Sequence, residues 1–356
     1  MQIHEYTPSQ FENLELHWKR LEKGSDMTAF QTYEWFKNVN KLYYQEKFNR
    51  LFRKWIYILV TDGEKPILIA PIRLQFIGKS YKYIIGTNRG AHLIGKDSYS
   101  DYLNFIYDDF NPDALKFIFS HLKKKHFINY VSLSNIIAST NSARYIKNHY
   151  QCRVINLNCV NLTLPDKFCD YESMLSKSTR QNIRTAINRL HKNNVKLSYE
   201  MIFEFNDELN ESLSVMRNKR LNVKMKKISP GKFSFKKLVL KGYKIIENYF
   251  KANHDVLNNN TNPWCLVSKD GDKIASYFWG ISNDDRSEFY VILAAVDAEY
   301  EWYSPGKVSM YLFIKSLYDS DRRNIKFIDF TRGGEQYKYD MGAKDRETYW
   351  ILDFAI

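Results

Sequence analysis

Two short runs near the end of the chain carry the side chains and backbone most suited to chemistry on an anionic ligand. In Tyr303-Ser304-Pro305-Gly306-Lys307-Val308, a proline-glycine turn leads into an amphipathic helix. The first turn of a helix presents unpaired N–H groups at the positive end of a dipole, so Ser304, Gly306, Lys307 and Val308 are read as a phosphate-binding turn. The second run opens with Asp329 at the end of the apolar stretch Ile325–Phe330, where a carboxylate suits a general base toward an amine or hydroxyl. Gly333-Gly334 then allows a tight bend before Glu335, Tyr337 and Lys338. Glu335 and Tyr337 join Asp329 as catalytic candidates, with Tyr337 as a proton donor. Arg332 and Lys338 are candidates to hold an acidic substrate.

A third group lies earlier. Lys177, Arg180 and Arg184 are spaced i, i+3 and i+7 on one helical stripe, opposite Ile183 and Ile187. Such a stripe is usually a solvated basic face; over a donor site it would bind phosphates. Asp101 and Tyr102 are weaker candidates for an acceptor cleft. The eight histidines show no ligand cluster in the sequence, with His121 and His126 five apart in a lysine-rich segment, and no metal is expected. There is no Gly-x-Ser-x-Gly elbow and no convincing Cys-His pair, so hydrolase chemistry by a covalent intermediate is unsupported.

These residues must be positioned by a buried strand over Glu288–Ala295, the helix after Pro305, and a second strand over 325–330. The same plan is legible upstream. Asp62-Gly63 joins the apolar runs Trp55–Val60 and Ile67–Ile72, and Asp270-Gly271 joins Trp264–Ser268 and Ile274–Ile281, each predicting a hairpin. Phe117–Leu122 leading to Tyr130–Leu133 resembles Leu312–Leu317 leading to Phe327–Phe330. The chain thus reads as two copies of one α/β unit, 1–164 and 165–356, with a helical insertion at about 206–254 in the second. Other expected helices are Pro8–Glu22, Thr32–Tyr43, Pro112–Lys124 and one opened by a capping box at Ser178-Thr179-Arg180-Gln181, with strands near Tyr81–Ile85 and Tyr102–Ile106. Before its downstream helix the first copy has Asp108-Asp109-Phe110-Asn111-Pro112-Asp113, acidic and without glycine, so an anion is expected only at the second.

Composition narrows the partners. The formal net charge is +13, which favours anionic ligands, and the basic residues are scattered rather than gathered in a tail. The four cysteines lack metal-ligand or disulfide-scaffold spacing and suit reduced thiols. With no signal peptide at the start and no apolar run of about 18 residues, a soluble, cytoplasmic protein is expected.

The order of elements resembles the GNAT acetyltransferase fold, and the duplication resembles the tandem GNAT arrangement of FemAB-like proteins. The stretch Ser176–Arg184, Tyr303-Ser304-Pro305-Gly306, Asp329-Phe330 and Gly334–Lys338 is similar to CelD-like acetyltransferases associated with polysaccharide biosynthesis, as are Ala29–Trp35 and Ser100-Asp101-Tyr102. The resemblance implies an α/β (α+β) fold of two tandem domains, each a mixed, largely antiparallel sheet flanked by helices. It implies an acyl-CoA donor, most simply acetyl-CoA, lying between splayed strands of the second copy, its thioester polarised by a backbone amide at Val291, Ile292 or Leu293. The acceptor would be an amine or hydroxyl on a nucleotide-linked or lipid-linked sugar. One departure stands out: the GNAT pyrophosphate loop is reduced to Gly306, and Pro305 has no N–H. FemAB-like enzymes with degenerate loops use aminoacyl-tRNA, so that donor is the alternative, and a non-catalytic binding module is a third.

Overall fold

The two expected hairpins form, and their turn glycines show why. Gly63 and Gly271 hold left-handed φ values of 57° and 59°, a conformation other residues adopt at a cost. The computed structural model describes residues 1–45, 53–75, 90–93, 100–209, 211–213, 215–216, 262–283, 286–319 and 325–356. The expected strand at Tyr81–Ile85 and most of the insertion at 206–254 lie outside the described residues.

The described elements run β1 (Gln2–Tyr6), α1 (Glu15–Leu21), α2 (Tyr33–Gln45), β2 (Arg53–Asp62), β3 (Lys65–Gln75) and β4 (Gly90–Leu93). Next come α3 (Pro112–His126), β5 (Tyr130–Ile137), α4 (Asn141–His149), β6 (Arg153–Thr163), α5 (Phe168–Met174), α6 (Lys177–Lys192) and β7 (Leu197–Ile202). The chain continues through β8 (Pro263–Asp270), β9 (Lys273–Ser282), β10 (Glu288–Val296), α7 (Pro305–Asp319), β11 (Phe327–Arg332), α8 (Gln336–Asp340) and β12 (Lys344–Ala355). Three expectations shift. Pro8–Leu14 is a 3-10 helix leading into α1, Tyr102–Ile106 makes a single bridge from Ile106 to Ile69, and Ser176 rather than Ser178 caps α6 by accepting the Thr179 N–H at 3.0 Å.

Two units result, Met1–Asn158 with Arg346–Ile356, and Cys159–Asp345. This differs from the expected boundary at 164: the last strand, β12, belongs mainly to the first unit, where it pairs antiparallel with β5. In the first unit β1, β2, β3 and β4 pair antiparallel in turn, β4 pairs parallel with β5, and β12 follows. In the second unit β7, β8, β9 and β10 pair antiparallel, β10 pairs parallel with β11, and β6 follows antiparallel. The strand order and directions are the same, as expected of a duplicated unit. Each sheet packs its helices over one apolar core: Ile56, Ile118, Leu133 and Phe354 in the first, Val160, Trp264, Phe278 and Ile314 in the second.

The expectation that the histidines form no cluster is corrected in the first unit. His121 and His126, five residues apart on α3, both turn their Nε2 atoms to one carboxylate oxygen of Glu5 on β1. The strand that brings Glu5 there has no counterpart in the sequence reading.

Candidate active site

The second unit opens a cavity of about 670 Å³, within the range that encloses small-molecule ligands. Its cause is a pair of irregularities in neighbouring strands. β10 and β11 pair in parallel only from Glu288–Phe327 to Tyr290–Asp329 and then part. β10 bulges against β9 between Val291 and Leu293, which makes Ile292 the extra residue, and β11 shifts register against β6 between Asp329 and Arg332. Gly280 lies opposite Val291, and a Cβ there would sit 1.7 Å from the Tyr290 carbonyl oxygen, so only glycine lets the bulged strand come this close.

The bend in β11 is held by two buried charged side chains. Thr331 has φ of 53°, an outlier for a β-branched residue. Its N–H donates to the Asp329 carboxylate at 2.6 Å, and its hydroxyl donates to the Val291 carbonyl at 2.7 Å. Lys338, itself buried, donates to the carbonyls of Phe330, Arg332 and Gly333 at 2.8–2.9 Å and pairs with Glu335 at 2.9 Å. An ammonium has three N–H donors, so the three carbonyls account for all of them.

Most of the sequence candidates converge here. Val291, Ile292, Leu293, Ser304, Gly306, Lys307, Arg332, Glu335, Tyr337 and Lys338 all line the cavity. Gly306 and Lys307 lie in the first turn of α7, where backbone N–H groups have no acceptor within the helix. The Val308 amide instead closes the first helical bond, to the Ser304 carbonyl at 3.1 Å, and its side chain is buried, so it is not the donor expected of it. Lys307 pairs with Asp340. Burial works to raise the Asp340 carboxyl, but hydrogen bonds from Lys307 and Gln336 outweigh it and hold it below the usual carboxylate range. Tyr337 packs edge-on to Phe330 at 6.2 Å and tilted to Phe278 at 6.4 Å, which fixes its ring at the cavity wall.

The remaining candidates take other places. Asp329 is fully buried and does not line the cavity; its carboxylate accepts the Thr331 amide. Lys338, though at the cavity wall, gives its N–H groups to backbone carbonyls and Glu335. Arg180 donates to the carbonyls of Glu172 and Leu175 at 2.8 and 2.6 Å, tying α6 to the end of α5. Neither it nor Arg184 lines the cavity. Asp101 and Tyr102 are buried in the first unit, where the Tyr102 carbonyl accepts from Gln31 and its ring lies under Arg346. Tyr277, Phe278, Glu301 and Thr331 line the cavity and were missed. Phe278 and Tyr277 lie on a strand that reads as core; Glu301 lies in the 3-10 helix Ala298–Tyr303, whose acidity reads as surface.

Among the described residues of the first unit, the entry to α3 is built differently. The Asn111 side chain accepts the N–H groups of Asp113 and Ala114 at 2.9 and 3.1 Å, so α3 begins with its amides already capped and an aspartate beside them.

Comparisons with known proteins agree with this architecture. Residues 177–339 match an acetyltransferase (GNAT) domain model. A comparison with curated proteins finds no match. Among solved structures the chain is similar to FemX, with TM-score 0.60 and 11% identity over 99% of this chain and 98% of that one. It is also similar to a conserved protein from Bacteroides thetaiotaomicron, with TM-score 0.55 and 11% identity over 99% of both chains. A tandem GNAT protein from the clavulanic acid biosynthesis pathway gives TM-score 0.50 and 10% identity over 99% of this chain and 98% of that one. At such identities these likenesses are of fold. Among the described residues no helix is long and apolar enough to cross a membrane. The segment 177–339, which carries the splayed and bulged strand pair, thus matches a GNAT acetyltransferase domain, and the chain as a whole shares the fold of FemX and of the tandem GNAT protein.

Proposed function

We propose that the chain transfers an acyl group from acyl-CoA, most simply acetyl-CoA, to an amine or hydroxyl of a sugar in a nucleotide-linked or lipid-linked polysaccharide precursor. The observation that carries the donor reading is the cavity, with the α7 first turn on one side and the Ile292 bulge on the other. In this reading the amides of Gly306 and Lys307 hold the pyrophosphate, and an amide of the bulge receives the thioester oxygen as it gains charge. Gly306 has no Cβ to crowd the phosphates. The acceptor identity rests on the family resemblance, with Arg332 at the cavity edge as the cation for an acidic sugar precursor.

The transfer is direct. The acceptor nitrogen or oxygen attacks the thioester carbonyl, a C–N or C–O bond forms, and the C–S bond breaks. Glu335 takes the acceptor proton and Tyr337 returns a proton to the thiolate. Asp329 shapes the bend rather than touching the reactants. The first unit, with its capped helix, serves as a degenerate GNAT-like scaffold.

A second reading has one specific support, the likeness to FemX over nearly the whole of both chains. In it the donor is an aminoacyl-tRNA and the +13 charge meets its backbone. Calorimetric titration with acetyl-CoA and with free CoA separates the two. The first reading expects micromolar binding, reduced at least about tenfold by Gly306→Glu and little by Gly306→Ala. An added Cβ at Gly306 meets Val296 and Phe278 at 3.4–3.7 Å, which is ordinary contact. No heat with either ligand, alongside salt-sensitive tRNA binding, replaces the first reading with the second.

A further inference from the structure

Within the first unit, β1 and α3 bring three potential metal ligands together. Glu5 Oε2 lies 3.1 Å from His121 Nε2 and 2.8 Å from His126 Nε2, and all three ligand atoms fall within 4.8 Å of one another. The imidazole rings stand 66° apart with centroids at 5.9 Å, so they converge on the carboxylate rather than stack. Zinc bonds of about 2.0–2.2 Å in a tetrahedron set ligand atoms about 3.4 Å apart, close to the two edges that Glu5 already makes.

We propose that Glu5, His121 and His126 form a Zn²⁺ site that clamps β1, the first strand of its sheet, to the last turns of α3. Two imidazoles and one carboxylate leave the fourth position to water. The site has a way in: the three side chains retain 12%, 20% and 11% of their exposure. It also holds a cation already. The Lys125 ammonium stands 3.2 Å from the same Glu5 oxygen, on a side chain 54% exposed and able to swing into solvent. Zinc would displace Lys125 and replace two hydrogen bonds to Glu5 with coordination, uniting the three side chains through one ion.

The test is Zn²⁺ titration of the full chain after chelator dialysis, with Co²⁺ substitution to read the coordination geometry. The expected result is one Zn²⁺ per chain, a tetrahedral cobalt spectrum, and a thermal transition raised by several degrees on saturation. His126→Ala is expected to weaken binding by about a hundredfold or more. Lys125→Met, at a half-exposed position, is expected to tighten it severalfold by removing the competing ammonium. Wild-type binding only at millimolar Zn²⁺, equal binding by a His121→Ala/His126→Ala double variant, or weaker binding by Lys125→Met would each overturn the site. Because Lys125→Met leaves the three ligands intact, it decides the matter even if the histidine variants misfold.

Discussion

Replacing Lys338 with methionine tests whether the bend in β11 is braced as described. Methionine keeps the length and apolar volume of the stem but removes the ammonium from the Phe330, Arg332 and Gly333 carbonyls. Hydrogen bonds to a charged donor contribute about 1.5–3 kcal/mol each by deletion, so three set an upper bound of about 9 kcal/mol. Two terms reduce that sum. The desolvation of a buried ammonium is recovered, and Glu335, its ion-pair partner, is 60% exposed and regains water. With those offsets, about 4 kcal/mol is the expected loss here. For a unit of this size that lowers the transition by roughly 8–16 °C. Differential scanning calorimetry of the full chain reads the shift, and hydrogen exchange reads its location. Amides across β11 and α8 should exchange faster while those of β1–β3 hold. A shift under about 2 °C, or loosening spread evenly over both units, would refute the reasoning.

Four further outcomes follow from the geometry. Gly280→Ala forces a Cβ onto the Tyr290 carbonyl and should destabilise by about 3 kcal/mol or more, read by denaturant unfolding. Asp329→Asn keeps an oxygen for the Thr331 amide and should cost only about 1–2 kcal/mol with activity within tenfold, whereas Glu335→Gln should lose about 10²–10⁴ in kcat. The reverse pattern would restore Asp329 as the base. The Glu5 carboxyl is held below its usual value of 4.5 in the folded chain, so its contribution is complete above that pH and is lost as acid protonates it below. Melting curves of the wild type should therefore fall more steeply than those of Glu5→Gln as pH drops below about 4.5; parallel curves would contradict it. Finally, a thiol reagent should label Cys169 first, since it is exposed, and spare Cys265, whose thiol burial pushes up. Early labelling of Cys265 in the native chain would count against the described core.

What could be read in the sequence was local. Asp62-Gly63 and Asp270-Gly271 declare their hairpins because a tight turn needs left-handed φ, and glycine tolerates it. The Pro305-Gly306 helix entry is legible for a similar reason. What escaped was set by partners far along the chain. Asp329 looks like a base at a strand end, but its work depends on a left-handed Thr331 that in turn reaches Val291, 40 residues away. Lys338 looks like a surface cation until three carbonyls close around it. His121 and His126, five apart, give no helical pairing signal, and Glu5 joins them from 116 residues upstream. β12 begins with four charged residues in five, Lys344-Asp345-Arg346-Glu347-Thr348, which hides a strand whose later part packs against β5.

The placement of β12 has a consequence for biosynthesis. A ribosome releases the first unit's helices and its strands through β5 long before it makes Arg346–Ile356, the segment that pairs with β5. During that interval the Val131 and Leu133 side of the sheet has an open edge, exposed to chaperones and to other nascent chains. The second unit, Cys159–Asp345, is contiguous and can close as soon as it emerges. The order of completion is therefore inverted: the half translated later finishes folding first, and the half translated earlier waits for the last strand.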